Sequence, residues 1–498
     1  MKALQGDWGR RLRRIVGSVA GLLCCGAWAA PGLEQIAHII VIYAENRAFD
    51  NLYGLFPGAN GIANARPENT IQVDHDGRPF DVLPPVWKGS AADPRFPTRL
   101  PNRPFRIDAP PVGMPLSLPT RDLVHLYYHN IEQINGGRND RFAAISDAGG
   151  LVMGYYDGAS LPMWQWAREY TLADIFFMGA FGGSVLNHFW LVCACTPRWE
   201  QAPADKIARL DAHGRLQRTV ASPASAHTGP PRFHHSEVTP DGFAVNTAQP
   251  PYQPSRIPPA AGGDSRHADA ARHPLPPQDF RTIGDALSEK GISWAWYAQS
   301  WNAALADGMQ PPAERRSVIY GRKPGAPSIE AHHQPFNYFR RFAPGTPERE
   351  QHLRDGERFA AAIESGTLPQ VAFYKPDSNS NEHPGYTDVL SGDRHIAALV
   401  QQIRNSPLWP GVAIIVTYDE NGGFWDHVPP PPGDRWGPGT RVPAIIISPF
   451  ARKGFVDSTP YDTTSIIKFI TRRFGLAPLP GVRAGAGDLS NAFDFSAR

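Results

Sequence analysis

Five short apolar runs punctuate the chain, each followed at once by polar residues: IIVIY at 39–43, ISWAWY at 292–297, QVAFY at 370–374, VAIIVTY at 412–418 and PAIIIS at 443–448. They are continuous, not alternating, which predicts strands buried on both faces. Between them lie segments with apolar residues at helical spacing. Ile283, Ala286 and Leu287 share a face over 281–291, with Gly291 as a stop; Ile396, Leu399, Val400 and Ile403 do so over 392–405. Over 461–475 polar residues lead into Ile466, Ile467 and Ile470, basic residues follow, and Gly475 ends the segment. Strands interleaved with helices predict an α/β protein with a parallel sheet covered on both faces.

The 51 prolines predict long irregular loops. Between about 200 and 279 the composition shifts to Pro, Ala, His and Gly, which reads as a decorating insertion in a single domain over 30–498. Residues 60–120 form a second Pro-rich excursion. Residues 1–29 have the build of a signal peptide: Lys2, Arg10, Arg11, Arg13 and Arg14, an apolar stretch from Ile15 to Ala27, and the cleavage pattern Ala27-Trp28-Ala29. Export to the periplasm or the medium is expected, with no later segment apolar enough to span a membrane. Removing that leader leaves 44 basic and 46 acidic residues, so the apparent basicity disappears and no nucleic-acid partner is implied. Cys24 and Cys25 leave with it; Cys193 and Cys195, in the apolar LVCACTP, are expected as buried thiols.

Two strand ends echo one another: VIYAEN at 41–46 and VTYDEN at 416–421. Active sites of open α/β sheets form beyond the carboxyl ends of strands. If these two strands are neighbours, Glu45, Asn46, Asp419 and Glu420 converge, and three carboxylates so close repel unless a cation sits among them. One divalent ion is expected, and Ca, Mg, Mn and Zn all suit such ligands; the plainer reading is that each acid caps a turn. MGAFGGSVLNHF (178–189) places Ser184 after two glycines at the start of a helix, either as a nucleophile beside the ion or as an ordinary cap. His125 and His129, the adjacent His332 and His333 (of which one is expected to face a given site), His383 near Asp377 and Asn381, and His427 beside Asp426 are the informative histidines. His234 and His235 lie in the insertion and are set aside.

ENRAFDNLYG, NGGRNDRF, EHPGY with GDRHI, and YDENGGFWDHV, taken together and in order, resemble the bacterial phosphoesterase family of acid phosphatases and phospholipases C, within the alkaline-phosphatase-like superfamily. The resemblance implies an α/β/α sandwich around a central, mostly parallel sheet, and hydrolysis of phosphate esters through a phosphoserine. It further implies that Glu45, Asn46, Asp419 and Glu420 hold one metal ion and that Ser184 is the nucleophile and last ligand. His125, one of His332 or His333, and His383 would grip phosphate oxygens or protonate the leaving group. Phospholipase C members commonly carry threonine in a G-P-T-x-P-N setting, whereas G-G-S-V-L-N stands here and favours the acid phosphatase branch, as does a chain that stops soon after Gly475. Relatives with two zinc ions use more Asp and His, so Asn46 speaks for one ion. The expected function is a secreted, metal-dependent acid phosphatase acting on small phosphate monoesters, favoured below neutral pH by protonated histidines. The alternatives are a phospholipase C acting on phospholipid head groups, which needs an apolar rim, and a non-catalytic metal-binding surface module.

Overall fold

The computed structural model describes residues 32–496, so the leader expected at 1–29 lies outside them. The apolar runs become the central strands. We label the main-sheet strands β1 (His38–Ala44), β2 (Thr171–Ala173), β3 (Trp294–Ala298), β4 (Leu353–Asp355), β5 (Val371–Lys375), β6 (Val412–Tyr418), β7 (Ala444–Ile447) and β8 (Phe455–Asp457). Their order across the sheet is β8-β2-β7-β6-β1-β5-β3-β4. All of β6 and all of β1 beyond His38 are buried, so both faces of the sheet are covered. β1 pairs in parallel with β5 and β6, in registers running from Ile39↔Val371 and His38↔Val412.

The sheet is parallel except at β7, which runs antiparallel to β6 and β2. The run at 443–448 is therefore a strand of the opposite sense to the one expected. The reason lies in its connection: no helix stands between Tyr418 and Ala444, and a parallel return needs a crossover element. β2, β4 and β8 have three residues each, too few to register as a periodic pattern.

Five helices matter below: α1 (Tyr127–Ile134), α2 (Ser184–Cys193), α3 (Ile283–Glu289), α4 (Val389–Asn405) and α5 (Thr463–Phe474). α2 packs with α3 and α5, while α4 packs with the helices Pro162–Glu169 and Gly356–Glu364. Local sequence fixes their ends. Asp388 caps α4 by accepting from the Ser391 N–H at 2.8 Å, Asp462 caps α5 through Thr464 at 2.7 Å, and Gly475 closes α5 in the left-handed region. α2 ends at Ala194, also left-handed, and there Cys193 and Cys195 form a disulfide in place of the expected free thiols. The turn at Ala194 brings the two Cα atoms to 5.1 Å, within bonding reach. The insertion at 200–279 is irregular, tied by bridges such as Ile207↔Val238 and Tyr252↔His267, and it buries Val238, Val245 and Leu275.

Candidate active site

β1 and β6 are neighbours in register Ala44↔Tyr418, so Glu45 and Asp419 leave the sheet side by side. The Asp419 N–H continues the ladder by donating to the Ala44 carbonyl at 3.1 Å. Asn46 then takes a left-handed conformation (φ 62°), which asparagine tolerates, and its N–H donates to Asp419 Oδ1 at 3.2 Å. Glu420 Oε2 accepts from the Gly422 N–H at 2.6 Å. Gly422 is itself left-handed, and a Cβ there would run into the Asn46 carbonyl, so the two strand-end loops interlock on a glycine.

Ser184 is the first residue of α2, behind Gly182 and Gly183. Its Oγ lies 3.4 Å from Glu45 Oε2 and 3.5 Å from Asn46 Oδ1. It opens on a cavity of about 430 Å³ that His125, His332, His383, Arg256 and Arg322 also line. His125 Nε2 is 3.4 Å from Asn46 Nδ2 and 3.5 Å from Glu420 Oε1, and its ring centroid is 5.7 Å from that of His383. The adjacent histidines part company. His332 faces the cavity with Nδ1 2.6 Å from the Tyr320 hydroxyl, whereas His333 turns inward with Nδ1 3.2 Å from Glu45 Oε1.

Burial, and then the neighbouring Asp419 carboxylate, push the Glu45 and Glu420 carboxyls well above the usual range; burial also raises Asp419. Asp419 Oδ2 and Glu420 Oε1 are buried without a hydrogen-bond partner. Buried acids left this way are strongly disfavoured unless a cation meets them. Three carboxyls with Asn46 Oδ1 and Ser184 Oγ form an oxygen-rich donor set that fits a divalent cation. Glu45, His188 and Asp419 also offer ligand atoms within 4.8 Å of one another.

Two neighbours of this cluster escape the sequence reading. Lys375, at the end of β5 and 1% exposed, is ion-paired with Glu45 and donates to the Tyr43 carbonyl at 3.0 Å. His188 sits one turn after Ser184, its Nδ1 2.7 Å from the Ser184 carbonyl, its ring parallel to His333 at 5.1 Å. The i,i+4 spacing of Ser184 and His188 on a predicted helix was the available clue. The cavity arginines and Tyr386, stacked on His383 at 3.7 Å, had none. His427, weighed from sequence but not assigned to the site, does not reach the cavity: it contacts Asp50 Oδ2 at 2.6 Å and Asn60 Oδ1 at 3.1 Å, while Arg441 donates to Asp50 and Asp426, so this group braces the loops behind the site. Burial lowers His332 to about 3 and holds His333 and His383 well below the ordinary imidazole value, and an anionic ligand in the cavity shifts each back upward.

The model of the Phosphoesterase family matches residues 36–477. The chain belongs to that family. This phosphoesterase is 26% identical over 510 residues to phospholipase C A of Mycobacterium tuberculosis, covering 95% of the chain and 80% of that protein. It is 25% identical over 512 residues to the non-hemolytic phospholipase C of Burkholderia pseudomallei, covering 93% of the chain and 60% of that protein. Among solved structures, a protein in the alkaline phosphatase superfamily from Vibrio parahaemolyticus aligns with a TM-score of 0.33 at 11% identity, over 77% of this chain and 75% of that one. The phosphoesterase is thus a phosphoric ester hydrolase.

Proposed function

We propose that the chain is an exported, metal-dependent phospholipase C that cleaves the phosphate ester of a phospholipid by way of a phosphoserine at Ser184. The observation that carries the reading is the Ser184 hydroxyl at the head of α2, between Glu45 and Asn46 and open to a cavity ringed by histidines. The names of the curated relatives move the balance away from the phosphomonoesterase expected first. The disulfide speaks for an oxidising compartment, in line with the leader-like N-terminus. Among the described residues no helix is long and apolar enough to cross a membrane.

A divalent ion held by Glu45, Asn46, Ser184, Asp419 and Glu420 would supply Lewis-acid polarisation and offset the charge of the phosphate. The chain does the rest. The Ser184 O–H points to the Glu45 carboxylate, its nearest acceptor, and Oγ attacks phosphorus in line. The first N–H groups of α2 face the same space and favour anionic oxygens. His125, His332 and His383 line the space around the phosphate oxygens; the Leu123 and Pro384 carbonyls hold Nδ1 of His125 and His383, so Nε2 is the nitrogen each offers to the phosphate, and a ring protonated there delivers the leaving-group proton. Water enters the cavity to hydrolyse the phosphoserine.

Ser184→Ala is expected to lower turnover by about a thousandfold or more with the melting temperature unchanged. Ordinary turnover in that variant would remove the serine from the mechanism. A second reading, the phosphomonoesterase, is favoured by the polar cavity with Arg256 and Arg322, which suit a phosphate dianion. Release of phosphorylated head groups from mixed phospholipid vesicles supports the lipase; inorganic phosphate from p-nitrophenyl phosphate alone supports the monoesterase.

A further inference from the structure

A second recess, about 340 Å³, opens beside the reaction cavity and shares Leu126, Asn246 and Thr247 with it. Its inner wall is the start of α1 and the strand of chain before it; its outer wall is the insertion, over residues 231–247. Val124, Ile145 and Phe233 give it an apolar lining, and two polar side chains stand in that lining with unmet hydrogen-bonding capacity. His129 is 6% exposed, its ring edge-on to Phe233 at 4.6 Å, and its Nδ1 has no partner. Glu237 is only partly buried, but its Oε2 is shielded from solvent and has no partner.

The two carboxylates of the recess already have cationic neighbours. Asp147 is ion-paired with Arg121 and accepts from the Val124 N–H at 2.8 Å, and Glu237 Oε1 lies 3.8 Å from the Lys206 ammonium. Burial keeps His129 uncharged at ordinary pH. What remains is hydrogen-bonding capacity without net charge, beside an aromatic face. A hydroxyl satisfies such groups whichever ring nitrogen of His129 carries the proton, because it both donates and accepts. A quaternary ammonium has no donor and leaves both atoms orphaned, a state buried polar groups avoid. The C–H face of a polyol fits against Phe233 as well.

Resting on the phosphoesterase reading above, we propose that this recess binds the alcohol portion of the substrate and selects a polyhydroxylated alcohol, such as inositol or a sugar, with His129 and Glu237 as its hydrogen-bonding partners. The segment that looked like decoration then sets specificity.

The test is titration calorimetry on full-length, divalent-loaded Ser184→Ala protein with myo-inositol 1-phosphate and with phosphocholine. The inositol phosphate is expected to bind about tenfold or more tightly than phosphocholine, and Glu237→Leu or His129→Leu, each added to that protein, should reduce the preference about tenfold. Equal affinities, or a preference that survives both substitutions, overturn the assignment. Should His129→Leu fail to fold, Glu237→Leu, on the irregular outer wall, carries the comparison. Turnover of phosphatidylinositol vesicles against free inositol 1-phosphate by the unmodified protein tells a lipid head group from a soluble ester. Selective binding without turnover of any ester would sink the enzyme reading and leave the recess standing; turnover without selectivity would do the reverse.

Discussion

Glu45 meets the Lys375 ammonium, the His333 ring and the Ser184 hydroxyl at once. A fixed positive charge beside a cation's ligands repels that cation while it offsets the buried carboxylates when the cation is gone. Lys375→Met should therefore tighten divalent binding by about tenfold, measured by chelator competition, and lower the melting temperature of the metal-free protein. Looser metal binding in the variant would assign the lysine another role. Glu45 with Asn46, and Asp419 with Glu420, were legible because the two strand ends repeat one context, VIYAEN and VTYDEN. Lys375 was not: a lysine closing QVAFYK reads as an ordinary strand terminus until β5 is known to lie next to β1. Arg256 and Arg322 arrive from irregular segments whose path no periodicity predicts.

The turn before α2 is set by Gly182, which has φ 88° and whose absent Cβ would strike the backbone of Tyr127 at the start of α1. Gly182→Ala is expected to destabilise the protein by about 1–3 kcal/mol, by chemical denaturation, and to depress kcat more than KM by shifting Ser184. An unchanged kcat would mean that α2 is anchored elsewhere. Its other anchor is Asn187, which donates to the Ala180, Gly182 and Gly183 carbonyls and accepts from the Ala180 N–H. Continuous apolar runs announced the long central strands, apolar spacing announced α4, and polar start residues with a terminal glycine announced α5. The sense of β7 was hidden because strand direction depends on the connection, not on the strand's own residues.

At the level of the whole molecule, stability should depend on acids that lie behind the site. Burial pushes Asp393 up to about 7, with Oδ1 accepting from the Met163 N–H at 2.9 Å, and raises Glu382, which accepts from the Tyr418 hydroxyl at 2.9 Å. The native state thus holds protons that the unfolded chain has released, so stability falls as pH rises from about 4 to about 7. Asp393→Asn keeps the carbonyl acceptor and should narrow the gap in melting temperature between about pH 5 and about pH 8. Chelation of divalent ions should lower the melting temperature and abolish ester cleavage together, since the same carboxyls serve both; loss of one without the other would separate structure from chemistry. Asn46 and Asp419, hydrogen-bonded neighbours, are 373 residues apart in the chain. β1 thus waits for β5 and β6, which are made long after it, and it enters the sheet between them. A nascent or half-threaded chain therefore lacks the assembled carboxylate cluster, and an ester hydrolase of this build stays idle until its final third is in place.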